Sequence, residues 1–209
     1  TNNTDKITFS TDTTASQTSA NLSSNRGYAT AVNSKTKGYI SGGMTAQNKT
    51  NSVLATTDIL VFSTDTTSAA TASNLSEARQ GASAVNAIQN GKGYFASGFT
   101  ATGAADRTLI DIMATPTDQR YSVQSATLMY GGAEGMSSNN KGYIAGGSTN
   151  GNAAYVVDGF KLNYFNDTIA SQSSANLSQA LQEITGISAN EADPGIITGY
   201  SLAGVGIGI

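Results

Sequence analysis

Serine and lysine placed three residues apart are the first candidates for chemistry in this sequence. Ser34 precedes Lys37, and Ser138 precedes Lys141, by the spacing found in some acyl-transfer enzymes. Those enzymes carry the pair on one turn of a helix, whereas both pairs here come just before a Gly-Tyr dipeptide. Lys92 occupies the same place in another copy of that element. Because a residue that recurs with a repeat is usually scaffold, we interpret these pairs as structural.

Histidine and cysteine are both absent from the 209 residues. Without His the chain lacks Ser-His-Asp triads, Cys-His pairs, the usual zinc sites and the commonest general base at neutral pH. Without Cys it has neither a disulfide framework nor thiolate metal sites. The sequence therefore predicts a protein that is not an enzyme, with no catalytic, cofactor-binding or metal-binding residues.

Other patterns also favour structure over chemistry. Gly204–Gly208 resembles a nucleotide loop, but its third Gly is out of place and no helix follows, which indicates a terminal strand. Asn190, Glu191 and Asp193 could supply oxygen ligands to Ca²⁺, although an ordinary solvated loop is the commoner reading of such a cluster. One aspartate recurs in every repeat, which favours a turn-capping role: Asp12, Asp65, Asp118 and Asp167.

Five tripeptides match the glycosylation sequon, as chance predicts in a chain rich in Asn, Ser and Thr. They begin at Asn21, Asn48, Asn74, Asn166 and Asn176, and three of them are Asn-Leu-Ser. A pair of arginines, Arg26 and Arg79, could line a binding surface or form one salt bridge in each repeat. The second use is the more common one.

Composition excludes several classes of partner. Only 12% of residues are charged, about half the usual share, and the net charge is −3. An acidic chain without basic runs is a poor match for nucleic acid or a membrane surface. The apolar stretch 195–209 is too short to span a bilayer. Because the chain starts at Thr1 without Met, we regard a processed or partial N-terminus as an open alternative.

The sequence repeats itself four times. Asp5–Thr13 aligns with Asp58–Thr66 at an offset of 53 residues, and Asn-Leu-Ser and a closing Gly-Tyr element follow in order. The four copies cover about 5–43, 58–98, 108–147 and 157–204, so one domain spans 1–209. Each copy predicts four short strands: an alternating run, a Thr/Ala/Ser-rich strand, a small-residue strand and the Gly-Tyr strand. The fold class is all-β.

This order resembles the kelch-type β-propeller repeat. The residues that carry the resemblance in the second copy are Asp58, Phe62, Arg79, Tyr94 and Gly98. Their counterparts in the first copy are Asp5, Phe9, Arg26, Tyr39, Gly42 and Gly43. The chain departs from the family pattern because it has no Trp, because copies three and four lack the Arg, and because two Gly pairs are reduced to Ser97-Gly98 and Ala203-Gly204.

The resemblance implies a small propeller of four four-stranded blades. On the family's strand phase the chain opens with strands three and four of a blade and ends with strands one and two. A ring would then close by pairing of about 182–204 with about 4–9. Two chains that combine their copies into one larger ring are the alternative.

The Thr- and Asn-rich, weakly charged texture is also similar to kelch-like repeats of phage structural proteins, cyanophages in particular. We therefore expect a structural or adhesive module, located in a virion or at a cell surface, whose partners are other structural proteins or a host surface glycan. A lectin is the alternative, with sugar-stacking candidates Tyr28, Tyr121, Tyr130 and Tyr155. A sugar-active kelch-fold enzyme is a weaker one, because those families use His, Arg or Glu clusters. The sequence singles out no ligand-binding residue.

Overall fold

The computed structural model describes residues 1–46, 52–103, 108–149 and 154–188, and the backbone of 196–200. Those residues form an all-β chain with short 3₁₀ turns. Its strands are β1 (Asp5–Thr8), β2 (Thr13–Ser16), β3 (Thr30–Asn33), β4 (Lys37–Ser41), β5 (Thr57–Val61), β6 (Thr66–Ala69), β7 (Ser83–Ala87), β8 (Lys92–Ala96), β9 (Leu109–Ala114), β10 (Gln119–Gln124), β11 (Glu134–Ser137), β12 (Lys141–Ala145), β13 (Ser148–Thr149), β14 (Ala154–Tyr155), β15 (Gly159–Asn163), β16 (Thr168–Ser171), β17 (Gln182–Ile187) and β18 (Ile196–Tyr200).

Three four-stranded antiparallel sheets dominate the structure. The first sheet has the order β3-β4-β5-β6, the second β10-β9-β8-β7 and the third β11-β12-β15-β16. Two-stranded sheets stand at the ends of the described chain: the N-terminal sheet (β1 and β2) and the C-terminal sheet (β17 and β18). A further small pair joins β13 to β14. The all-β fold class is therefore confirmed, and the described chain opens with one strand pair and ends with another.

The predicted ring closure is not seen among the strand pairs of the described residues. Among the described residues β1 pairs with β2 alone, and β17 pairs with β18 alone. The described chain thus has three complete four-stranded sheets and two half-sized terminal sheets, where four complete blades were expected. Pairing of the two terminal sheets stays a prediction.

Successive sheets pack against each other through their faces. We call β3, β7, β11 and β17 the inner strands; each contacts the next one in this order. One core cluster joins Val32 and Tyr39 of the first sheet to Phe95 and Met113 of the second. A larger cluster joins the second and third sheets, with Val85, Tyr94, Ile112, Ile144, Leu162 and Tyr164 among its members. The hydrophobic core is therefore located in the seams between sheets.

The close packing in these seams explains why the Gly-Tyr strands of the second and third sheets carry Gly at this position. A Cβ on Gly93 would overlap the side chain of Val32 in the preceding sheet. A Cβ on Gly142 would meet Val85 in the same way one sheet later. The close approach of the two backbones thus requires a residue without a side chain at this position of the strand.

None of the helical turns in the described part of the chain has both the length and the hydropathy to cross a bilayer.

Candidate binding site

A cavity of about 340 Å³ opens where the inner strands end. Four of its lining residues hold one repeat-equivalent position: Asn33, Asn86, Ser137 and Ser188. The remaining lining residues follow the second and third inner strands: Ile88, Gln89, Ser138 and Asn139. The repeat therefore brings together one polar side chain from each of four inner strands.

A relay of hydrogen bonds fixes the wall of this cavity. The backbone N–H of Asn33 donates to Oδ1 of Asn86 at 2.6 Å, and the N–H of Asn86 donates to Oγ of Ser137 at 2.8 Å. The N–H of Ser137 then donates to Oγ of Ser188 at 2.9 Å. Three side chains at the wall are thus each held by the backbone of the preceding sheet, so their polar groups are pre-positioned: Asn86, Ser137 and Ser188.

The described residues that line the cavity are uncharged. Amide and hydroxyl side chains both donate and accept hydrogen bonds, and Ile88, which is 36% exposed, adds an apolar contact. Such a lining complements a neutral, polar ligand with several hydroxyl or amide groups. Within the described part of the wall the lining side chains are amides, hydroxyls and one aliphatic group, all of which are suited to binding.

Glu134 is an ionisable residue close to this site along the chain, since it stands on β11 three residues before Ser137. Burial raises the pKa of the Glu134 carboxyl to about 7, although hydrogen bonds with the backbone of Gly135 and Gly186 oppose that shift. Sequence reasoning missed this residue. The available signal was a lone carboxylate in a strand whose counterparts begin with Thr30 and Ser83.

The Ser-Lys pairs are parts of the scaffold. The Ser34 hydroxyl oxygen accepts the backbone N–H of Lys37 at 3.0 Å, and the Ser138 hydroxyl donates to the carbonyl of Lys141 at 2.9 Å. Each serine therefore holds the turn that leads into a Gly-Tyr strand. The ammonium of Lys37 reaches Asp118 in the next sheet. This arrangement agrees with the structural interpretation of the pairs.

Three of the four recurring aspartates link one sheet to another, because each holds a Lys ammonium of the neighbouring sheet: Asp65, Asp118 and Asp167. All four adopt left-handed backbone conformations, with φ between 51° and 57°, which Asp tolerates better than most residues: Asp12, Asp65, Asp118 and Asp167. The Tyr39 hydroxyl donates to Asp118 at 2.6 Å, beside Lys37. The turn location of the four aspartates was expected, but sequence reasoning did not foresee that three of the side chains bond across a seam.

We call this contact the Lys-Tyr-Asp clasp: a Lys and a Tyr of one Gly-Tyr strand hold an Asp of the following sheet. In the second clasp Lys92 and Tyr94 donate to Asp167, each at 2.7 Å. Burial raises the pKa of the Tyr94 hydroxyl, and the hydrogen bond to Asp167 raises it further. Burial also raises the pKa of the Asp118 carboxyl. The hydrogen bonds from Lys37 and Tyr39 outweigh this effect, so the pKa of Asp118 is lowered overall.

Both arginines form buried ion pairs, which is the second of the two uses considered from the sequence. Arg26 Nη2 lies 3.0 Å from Asp58 Oδ2, and Arg79 Nη2 lies 2.6 Å from Asp111 Oδ2. All four side chains are fully buried. Arg26 also donates to the carbonyls of Gly42 and Thr56, so each arginine ties a connecting segment to the sheet that follows it.

The sequon asparagines of Asn-Leu-Ser bond to the backbone. Their Oδ1 atoms accept the N–H of Thr4, Thr57 and Gly159 at 3.0, 2.9 and 2.8 Å. The tyrosines proposed for sugar stacking occupy separate segments. Tyr121 is on β10, where its hydroxyl donates to Asp167, while Tyr130 packs on Phe160 in the core and Tyr155 is on β14. Tyr28 precedes β3 and is 53% exposed.

Two segments considered from the sequence lie outside the described residues: the solvated-loop cluster of Asn190, Glu191 and Asp193, and the expected terminal strand Gly204–Gly208. The described residues contain no group of three or more acidic, His or Cys side chains placed to hold a metal ion.

No protein-family profile matches this chain, and no curated protein is significantly similar to it.

Proposed function

We propose that this chain is a non-enzymatic binding module that acts as a structural or adhesive component of a virion, such as a phage tail or capsid-decorating protein, or of a cell surface. The architecture that we propose for it is a small β-propeller of four kelch-like blades, in which the N-terminal and C-terminal sheets together make the fourth. Its partners would be other proteins of the assembly or a neutral glycan of the host surface.

The lining of the cavity is the observation that carries this proposal. Four repeat-equivalent positions at the ends of the inner strands present amide and hydroxyl groups, and the lining residues that the structure describes carry no charge. A site of this kind can hold a polyhydroxylated ligand by hydrogen bonds without transforming it. The recurring charged residues are used elsewhere, since Arg79 ties a connecting segment to the second sheet and Lys92 holds the second and third sheets together.

The propeller arrangement is supported by the order of contacts. Each inner strand touches the next, and the three complete sheets follow one another with the same strand order. The first and the last inner strand both contribute to one cavity, through Asn33 and Ser188. Four such strands around one cavity are what a four-bladed ring requires.

Glycan binding gives the most direct test. Purified protein is applied to a glycan array beside two lining variants, Gln89→Glu and Asn139→Asp, and a control variant, Gln119→Ala, on the exposed edge of β10. We expect one selective class of neutral glycan to bind the wild type and the control, with at least tenfold weaker binding to the lining variants. Chemical conversion of the bound glycan would contradict a non-enzymatic role.

The assembly role is tested separately by mass spectrometry of purified particles and of cell-envelope fractions from the producing source. We expect the chain to be present at fixed stoichiometry in one of these fractions. A chain that is silent on the array and absent from both fractions would refute the proposed function.

A further inference from the structure

The seam between the second and third sheets combines four side chains. On one side are Lys92 and Tyr94 of the Gly-Tyr strand; on the other are Tyr164 and Asp167, which flank the turn between β15 and β16. The rings of Tyr94 and Tyr164 stack with centroids 5.5 Å apart and an interplanar angle of 13°. In this seam the clasp and the ring stack together join the two sheets, and the clasp alone recurs between the first and second sheets.

The third sheet carries the Lys and Tyr side of this contact, but no aromatic ring and Asp are seen opposite them among the described residues. Lys141 and Tyr143 stand on its Gly-Tyr strand at the positions of Lys92 and Tyr94. Among the described residues neither the Lys141 ammonium nor the Tyr143 ring and hydroxyl has a polar or aromatic partner. Tyr94 is fully buried, whereas Tyr143 is only half-buried.

The N-terminal sheet carries the complementary half. Phe9 and Asp12 flank the turn between β1 and β2, three residues apart, as Tyr164 and Asp167 do in the third sheet. Phe9 is 86% exposed, which is unusual for so large an apolar side chain. Asp12 has the same left-handed backbone as Asp167, with φ of 53° and 56°. Its carboxylate has no hydrogen-bonding or ion-pairing partner among the described residues.

We infer that the turn Phe9–Asp12 binds the edge formed by Lys141 and Tyr143 in the same chain, with Phe9 stacked on Tyr143 and Asp12 held by Lys141. The chemistry matches the existing seam at all four positions: a cation and a phenol on one side, an aromatic ring and a carboxylate on the other. Opposite charges and two apolar rings come together, so both polar and hydrophobic terms favour the contact.

The occupant is the chain's own N-terminal sheet because the inner strands already turn far enough to share one cavity. Asn33 of the first sheet and Ser188 of the C-terminal sheet line the same 340 Å³ space. The N-terminal sheet is tied to the first sheet by the ion pair of Lys6 with Asp65 and by the bond from Ser19 to the Asp65 carbonyl. In the proposed ring, the N-terminal sheet therefore lies between the first and third sheets and faces Lys141 and Tyr143. This step rests on the ring arrangement proposed above.

Crosslinking tests the contact directly, because the chain has no Cys of its own. The test pair is Asp12→Cys with Lys141→Cys, and the matched positive control is Asp167→Cys with Lys92→Cys, the same positions in the existing seam. Asp12→Cys with Lys92→Cys is the negative control. A short bismaleimide is added at low protein concentration and the products are separated by denaturing gel and mass.

We expect the test pair and the positive control to give intramolecular crosslinks with similar yields, at least tenfold above the negative control. Crosslinked dimers in place of the intramolecular product would overturn the inference, because the occupant would then be a second copy. A test pair that stays at the level of the negative control while the positive control reacts would also overturn it.

A charge-reversal series keeps the inference falsifiable if the Cys variants fold poorly. Asp12→Lys and Lys141→Asp each place like charges opposite one another, so each should lower the Tm by a few degrees, and the double variant should recover most of that loss. Additive losses in the double variant would refute the contact. The outcome is independent of the glycan array, so failure of the seam and failure of the proposed binding function can be told apart.

Discussion

Ser97 is the side chain whose replacement should stabilise this protein. It occupies the position that Gly42 and Gly146 hold in the neighbouring copies, directly before the second Gly of the pair. Its φ is +56°, in the left-handed region, where Gly42 and Gly146 have φ of +67° and +70°. The side chain is fully buried, and its hydroxyl has no hydrogen-bond partner among the described residues. Ser97→Gly should therefore raise the free energy of unfolding.

The size of the effect follows from four terms. Relief of the left-handed backbone contributes about 1–2 kcal/mol. Removal of a buried, unpaired hydroxyl contributes about 1 kcal/mol. The added freedom of Gly in the unfolded chain costs about 0.4–1 kcal/mol, and loss of one buried methylene costs about 0.8 kcal/mol. We expect a net stabilisation of about 1 kcal/mol, which corresponds to a Tm increase of about 2–4 °C at this chain length.

Urea denaturation and thermal unfolding, both followed by circular dichroism, measure the change. Ser97→Ala is the matched control, because it removes the hydroxyl but keeps a Cβ on the left-handed backbone; it should be less stable than Ser97→Gly. Gly42→Ser is the reverse control and should be strongly destabilised, since a Cβ there would lie 2.5 Å from the carbonyl oxygen of Arg79. If Ser97→Gly proves less stable than the wild type, the assignment of strain to this position is wrong.

Three other perturbations test the seams and the inner strands. Asp111→Asn should lower the free energy of unfolding by about 3–5 kcal/mol, because Arg79 would stay charged and buried without its carboxylate; a loss below about 1 kcal/mol in urea titrations would contradict this. Gly93→Ala should lower the free energy of unfolding by about 1–3 kcal/mol because its methyl group overlaps Val32. Adding Val32→Ala to the same chain should recover part of that loss. Additive losses in the double variant would show that the two residues do not meet. Burial raises the pKa of Glu134 to about 7 from an ordinary value of 4.5, so the folded state holds a proton that the unfolded state has released, and stability should fall as pH rises across that interval. The Glu134→Gln variant should therefore show a flatter dependence of Tm on pH between 4.5 and 7. At pH 8 its Tm should be higher than that of the wild type. An unchanged slope would show that another group is responsible.

The repeat made the strands and their phase predictable, because each copy joins an alternating run, an Asp turn and a Gly-Tyr strand in fixed order. The positions of Gly42 and Gly43 also followed, since paired glycines suit a strand end with positive φ. Repeat spacing alone shows neither what an Asp side chain contacts nor where a Lys ammonium ends. The bond from Lys92 to Asp167 joins residues 75 positions apart, and only the packing of two sheets brings them together.

The cavity was beyond sequence reasoning for a related physical reason. Asn86 and Ser137 are ordinary polar residues in small-residue strands, and nothing in their types marks them as a wall. Their shared location depends on how far each sheet is rotated relative to the last, which is set by seam contacts such as Val32 against Gly93. Glu134 was overlooked because a single carboxylate on a strand is usually solvated, whereas here the neighbouring inner strand covers it.

The hydrogen-bond relay along the inner strands has a polarity. Each bond runs from the backbone of one sheet to a side chain of the following sheet, and none of the three runs backwards. The three complete sheets therefore follow one another in a row, and each gains stability from the neighbours it touches. The second sheet alone has a complete sheet on either side, so its amides should exchange with solvent most slowly, and opening should spread inward from the two ends of the chain.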